Sequence, residues 1–451
     1  MDENILNSKL LKTLQKKIAQ NPHDAKLMKS ILYCGSRVIH QVGMQPAVFV
    51  LKNDTDAKLF GVAHCNNTWV CPVCSARKMA KYASEIASAI DALKTWHNQV
   101  ACMITFTVPH TRGMSCRETT EILFNAWKDF IVHGNKNSQA KYYANDDESD
   151  KFKHGKRKSM KISARKLKDP FAEFCETFNC KHRVRVGEYT WGAQGWHPHF
   201  HCLFWVDADK LQQVRDWQET LNDRWYTLTK RHTIRQWNKL YPDQKEKNIA
   251  RANIMYDRMD TENSKGVYIS VDADGKVIEQ KSSQYLCGWG ADKELTGNYQ
   301  LKASHPDHMT PTQLLEKYRE TNDDKWLDIF MEMARTTREK KRRRVMFSTQ
   351  SGIKQIIAKW RQTNTYIESL KKKAIDMASK NGQWRLVYWF NEQQWSQIFF
   401  HPNNLVTQIL ERARLPDAKK QIDDLLIQHG IPPQTKEHRA AQFIENLFSA
   451  A

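Results

Sequence analysis

Residues 186–206 read VGEYTWGAQGWHPHFHCLFWV, and no other stretch restricts the fold as much. His197, His199 and His201 stand at every second position, with Pro198, Phe200, Cys202 and Phe204 among and after them. Side chains of an extended strand alternate between faces, so the imidazoles share one face and the apolar set buries the other. Upstream, RVRVGEYTW alternates as well, and GAQG between the two runs reads as a four-residue hairpin loop. If Trp191 pairs with Trp196, Glu188 lies opposite His199 with Cβ atoms about 5 Å apart. A slip of one residue would turn Glu188 to the other face. The pattern predicts a carboxylate beside imidazoles, a divalent-metal site better suited to Mn, Zn, Fe or Cu than to Ca. The plainer alternative is a solvated, histidine-rich edge strand in a chain with 17 histidines.

Charge points to a polyanionic partner, nucleic acid above all. Seventy Lys and Arg against 50 Asp and Glu leave a net charge of +20. The excess is clustered: KFKHGKRKSMKISARKLKDP (151–170) includes Lys156, Arg157 and Lys158, and REKKRRRV (338–345) includes Lys340, Lys341, Arg342, Arg343 and Arg344. No apolar run approaches the ~18 residues that cross a bilayer, and the N-terminus lacks a signal-peptide core. The expectation is a soluble, cytoplasmic protein with no membrane partner, whose ten cysteines are free thiols or metal ligands.

HCNNTWVCPVCSARK supplies Cys65, Cys71 and Cys74, and Cys34 in LYCGS is the expected fourth ligand, with His64 and His40 as substitutes. Four such groups would close a tetrahedral zinc site and hold together a region with little core of its own. A redox C-x-x-C pair is the alternative, but it expects a βαβ setting that the pattern lacks.

The remaining periodicities predict an α+β fold, an antiparallel sheet with helices on one face. Helices are expected over 4–20, 76–97, 116–134 and roughly 207–240, a buried strand over 99–110, and a hairpin over 266–279 turning at Asp274-Gly275. Residues 135–170 read as a flexible, Lys-rich insertion. From 310 onward the chain is mainly helical, with a lone strand at 384–390 and a helix capped by Asn391, Gln394 reaching back. Three parts follow: 1–80 with the cysteine module, 81–300 with the histidine sheet, and 301–451. A metal beside a basic groove suits phosphate chemistry and needs a nucleophile. Tyr285 in IEQKSSQYLCGWGADKELTG, just past a strand pair, is the candidate, with Tyr268 in GVYIS weaker because it sits within a strand.

Together these segments resemble the replication initiators of rolling-circle plasmids, in the His-hydrophobic-His (HUH) endonuclease superfamily. ITFTV (104–108) is similar to the first family motif, GWHPHFHCLFW to the second and SQYLCGWGADKELT to the third; CPVCSARK resembles the N-terminal cysteine module and MTPTQLLEKY the tail. The resemblance covers roughly 30–355. It implies an HUH nuclease domain in which His199, His201 and Glu188 hold Mn²⁺ or Mg²⁺, with His197 a fourth ligand or a neighbour that orients one. It implies that Tyr285 attacks a phosphodiester of origin DNA, single-stranded or in the duplex, becomes joined to the 5′ phosphate and frees a 3′ hydroxyl. Host helicase and polymerase are the implied further partners. Two positions depart from the family pattern. Gly288 stands where a lysine commonly follows the tyrosine, leaving Lys293 as the nearest replacement. Lys281 stands where some relatives place a glutamate that activates water at termination. Single-strand transposases and mobilisation relaxases share this scaffold; a non-haem iron oxygenase or a non-catalytic zinc repressor would use only part of the pattern.

Overall fold

The computed structural model describes residues 3–131, 169–260, 266–270, 308–338, 347–363 and 385–433, less positions 40, 43, 44, 54, 55, 350 and 351. The chain opens with helices α1 (Glu3–Gln20), α2 (Pro22–Leu27) and α3 (Lys29–Leu32), then strands β1 (Gln41–Val42), β2 (Gln45–Lys52) and β3 (Ala57–Phe60). There follow α4 (Pro72–His97), β4 (Gln99–Thr107), α5 (Cys116–Ile131), α6 (Pro170–Thr177), β5 (Arg183–Gly192) and β6 (Gly195–Asp207). A 3-10 stretch, Ala208–Trp217, leads into α7 (Gln218–Leu240), α8 (Lys245–Asp260) and β7 (Val267–Ser270). The last segments carry α9 (Pro311–Thr321), α10 (Asp324–Arg338), β8 (Phe347–Thr349), α11 (Ile353–Trp360), β9 (Arg385–Asn391), α12 (Glu392–Phe400), α13 (Leu405–Ala413) and α14 (Ala418–Gln428). Among the described residues every strand pair is antiparallel, and the fold is α+β.

Five strands in the order β7-β4-β6-β5-β8 form the sheet that carries the histidines. β6 lies at its centre, which removes the solvated-edge alternative. The hairpin takes the expected register, Trp191 opposite Trp196 and Glu188 opposite His199. Its loop is tighter than expected: Gly192 pairs with Gly195, leaving the two-residue turn Ala193-Gln194, and Gly195 adopts φ +91°.

Helices cover both faces of this sheet, not one. Phe200, Phe204, Ile104 and Phe106 pack with the apolar residues of α5, α6 and α7. On the opposite face Leu203, Trp205, Val184 and Ala101 pack under α4 and α11. The reason is visible in β6 itself: after His201 the alternation gives way to the unbroken apolar run CLFWV, which requires burial on both sides. The expected helix at 207–240 likewise starts later, because Ala208–Trp217 winds as 3-10 before α7 begins.

Pairing and packing run across positions 80 and 300. β9, expected to stand alone, pairs with β2 in a second sheet, where Ala47 lies opposite Asn391. α9 and α10 bury Leu314, Leu327 and Phe330 with Leu10, Leu14 and Ile31 around the cysteine module. The buried Asp24 carboxylate accepts from Arg335 Nε and a terminal nitrogen, both at 2.8 Å, pinning α2 to α10. Asn391 and Gln394 form the capping box that their spacing predicts, and Thr310 with Gln313 forms another.

The cysteine module docks against β5 beside Glu188. Asn67 Oδ1 accepts from the backbone N–H of Trp69 and of Val70, both at 3.0 Å, and this turn aims the Trp69 indole at the strand. There it meets the Tyr189 ring edge-on at 4.8 Å and covers Gly187. A Cβ at Gly187 would lie 2.8 Å from Trp69 Cη2. Gly187→Ala is therefore expected to displace the indole and cost about 1–3 kcal/mol, read as a lower midpoint in denaturant unfolding. An unchanged midpoint would mean the module is not seated on that strand.

Candidate active site

The three central strands fix a polar cluster on the histidine face. Directly paired residues share a face, so Glu188 and His199, Val186 and His201, and Thr105 and His201 point the same way. Glu188 Oε2 lies 3.1 Å from His199 Nε2 and 3.0 Å from His201 Nε2. One ligand atom from each residue falls within 4.8 Å of the others, so the trio can hold a metal ion. At metal–ligand distances of about 2.1 Å, neighbouring octahedral ligands stand about 3 Å apart, which these separations match.

Each ring is held from behind. His199 Nδ1 donates to the His197 carbonyl at 3.1 Å, and His201 Nδ1 meets Thr105 Oγ1 at 3.0 Å. Both Nε2 atoms are thereby turned toward Glu188, the arrangement by which neighbouring groups orient metal-ligating histidines. Burial opposes charge on Glu188, but the two imidazoles outweigh it and hold the carboxyl well below the usual carboxylate range. Burial also pushes His199 down, yet the Glu188 carboxylate raises it above the ordinary 6.5. For His201 burial wins, and its pKa falls. The carboxylate thus favours the protonated form of His199, and burial the neutral form of His201.

This assignment fixes a pH dependence. A metal ion can bind His199 only after that ring gives up a proton, so apparent affinity is full above the raised His199 pKa. It falls as pH drops through that pKa, by about tenfold per unit for one released proton. Mn²⁺ titrations followed by loss of the free-ion electron paramagnetic resonance signal should show affinity falling as pH drops below the raised His199 pKa. Constant affinity across that drop would contradict the assignment.

His197 is not part of the trio. Its Nε2 lies 2.7 Å from Thr107 Oγ1, and its backbone carbonyl orients His199, the second of the two roles read for it from sequence. Its ring stacks edge-on against His110 at 4.8 Å and lies 6.0 Å from His308. Thr105, Thr107, His110 and His308 were not singled out from sequence. The first two carried a signal: in ITFT the threonines alternate with Ile104 and Phe106, a polar face on an otherwise buried strand.

The second cluster brings together Cys34, Cys65, Cys71 and Cys74, which can also hold a metal ion. Cys34 follows α3, Cys65 follows β3, Cys71 is the N-cap of α4 and Cys74 lies in its first turn. Sγ separations are 3.6 Å for Cys34–Cys74, 3.5 Å for Cys65–Cys74 and 3.7 Å for Cys71–Cys34. A tetrahedron with metal–sulfur bonds of about 2.3 Å has edges near 3.8 Å. Hydrogen bonds from the Cys65 and Cys71 thiols hold the Cys34 pKa down at about 6, so the cluster carries thiolate character. His64 sits beside Cys34 and Cys74 but outside the set.

No protein-family model matches the chain, and comparison with curated proteins and with solved structures returns no significant match. No described helix is long and apolar enough to cross a membrane. Tyr285, Lys281, Lys293, Lys156, Arg157, Lys158, Lys340, Lys341, Arg342, Arg343 and Arg344 lie outside the described residues, as do the 266–279 hairpin beyond Ser270 and most of the 135–170 insertion. Tyr268 is described: it stands on β7 opposite Thr105, on the histidine face.

Proposed function

We propose that this chain is a replication initiator of the HUH endonuclease superfamily, which nicks one strand of a rolling-circle plasmid origin. The observation that carries the reading is the convergence of Glu188, His199 and His201 on one face of a central β-hairpin. Mn²⁺ or Mg²⁺ held there would draw negative charge from a phosphoryl oxygen, and two imidazoles favour Mn²⁺. The residues of the chain do the rest. Thr105 and the His197 carbonyl keep both imidazoles aimed, and Glu188 supplies the negative charge that neutralises the cation. The Tyr285 phenolic oxygen bonds to phosphorus as the bond to the 3′ oxygen breaks. That oxygen leaves as a hydroxyl carrying a proton, ready for the host polymerase to extend after a host helicase opens the duplex. One ester replaces another, so the reverse attack rejoins the strand without ATP. Lys281 and Lys293 stabilise the phenolate. Lys156, Arg157, Lys158, Lys340, Lys341, Arg342, Arg343 and Arg344 neutralise phosphates of the origin, giving a slope of about 0.9 log units of affinity per log unit of salt for each contact. Zn²⁺ in the four-cysteine site is structural, with no open position for substrate.

The test is incubation with Mn²⁺ and single-stranded origin DNA, followed by a denaturing gel. The wild-type chain should give a DNA-linked protein band that survives boiling in detergent, and Tyr285→Phe should give none. Cleavage without a linked product would instead implicate metal-activated water and overturn the reading.

A further inference from the structure

We infer that Tyr268 is a stacking platform for a base of the single strand that crosses the metal face. This inference rests on the nuclease reading above and adds how that site grips its substrate. Tyr268 pairs with Thr105, and Thr105 pairs with His201 on its other side, so all three side chains leave the sheet on one face. Two strand spacings of about 4.8 Å separate Tyr268 from His201, which sets its backbone about 10 Å to the side of that of His201. That offset suits contact with a nucleotide next to the one bound at the trio.

Part of the ring is open to solvent. Tyr268 is 39% exposed while its strand neighbour Val267 is buried at 1% and faces the core. Among the described residues its hydroxyl has no hydrogen-bond partner. The backbone beneath it, by contrast, is held on both edges. On one side β7 pairs with β4, and Thr107 N–H donates to Gly266 O at 2.8 Å. On the other, Val267 N–H donates to Asn222 Oδ1 at 2.7 Å and Ile269 N–H to Gln218 Oε1 at 3.1 Å. α7 thereby occupies the outer edge of β7 at these two residues and fixes the backbone that carries the ring. An aromatic ring has few rotatable bonds to order on binding, and every base offers a π-face to it.

The experiment separates bases from phosphates. Binding of fluorescein-labelled dT20 is compared with that of an oligonucleotide of the same length whose central thymidines are replaced by abasic sites, by anisotropy at low salt without added divalent ion. Tyr268→Ala should weaken dT20 binding by about 5- to 100-fold. The abasic strand, which retains its phosphates, should bind both proteins alike. Tyr268→Trp should restore the preference for dT20. Equal loss on both strands, or no loss on either, would overturn the platform while leaving the nuclease reading intact. A wild-type chain that binds neither strand overturns both.

Discussion

Replacing Glu188 by alanine is expected to reduce metal-dependent nicking by about a hundred- to ten-thousandfold while leaving the fold in place. The magnitude follows from what the carboxylate does. It is the one anionic group of the trio, it accepts from both imidazoles, and a cation set against a phosphoryl oxygen supplies several kcal/mol of transition-state stabilisation. Without it two imidazoles remain, one of which no longer has a carboxylate to hold its pKa up. Mn²⁺ affinity should fall along with activity, and raising Mn²⁺ should recover part of the rate. The side chain is 26% exposed and takes no part in the apolar cores, so circular dichroism and thermal unfolding should change little. Glu188→Gln, which keeps the shape and removes the charge, should behave like the alanine variant. Nicking that survives both substitutions would separate the trio from the chemistry.

Stripping the four-cysteine site is expected to have the largest effect on stability. Cys34, Cys71 and Cys74 are each buried to within 2% of full coverage, and they sit in the same core as Leu10, Leu14, Ile31, Leu314 and Phe330. Loss of the ion would leave thiolate character buried without a counter-charge, in a core shared with α1, α9 and α10. A strong chelator should release about one equivalent of zinc, measured with a colorimetric indicator, and lower the unfolding midpoint by on the order of 10 °C. Cys71→Ser should do the same without chelator, since Cys71 also begins α4. Metal content near zero with an unchanged midpoint would show that the core holds itself together.

The two sites differ in how far they could be read from sequence. The histidine hairpin was legible because its signals are local: period-two alternation fixes faces, and two tryptophans flanking a glycine-bounded turn fix register. The Asn391–Gln394 cap was legible for the same reason, being set by residues three apart. Cys34 could be proposed but not fixed, since it joins Cys74 across the whole of β1 to β3. What local pattern could not carry was long-range pairing. β2 and β9 are partners separated by more than 300 residues, and nothing in either strand names the other. The second helical layer was visible only as the apolar run after His201. Thr105 and Thr107 acquire their roles through pairing with β6, and Tyr268 through pairing with β4, so each depended on a sheet order that periodicity does not give.

The most direct test of the central proposal is to digest the DNA-linked protein formed with Mn²⁺ and to identify the modified peptide by mass spectrometry. The account predicts a single nucleotide-bearing tyrosine, Tyr285, and no linked peptide from His201→Ala. A nucleotide carried by Tyr268 or any other residue, or a cleaved strand joined to no peptide at all, would contradict it.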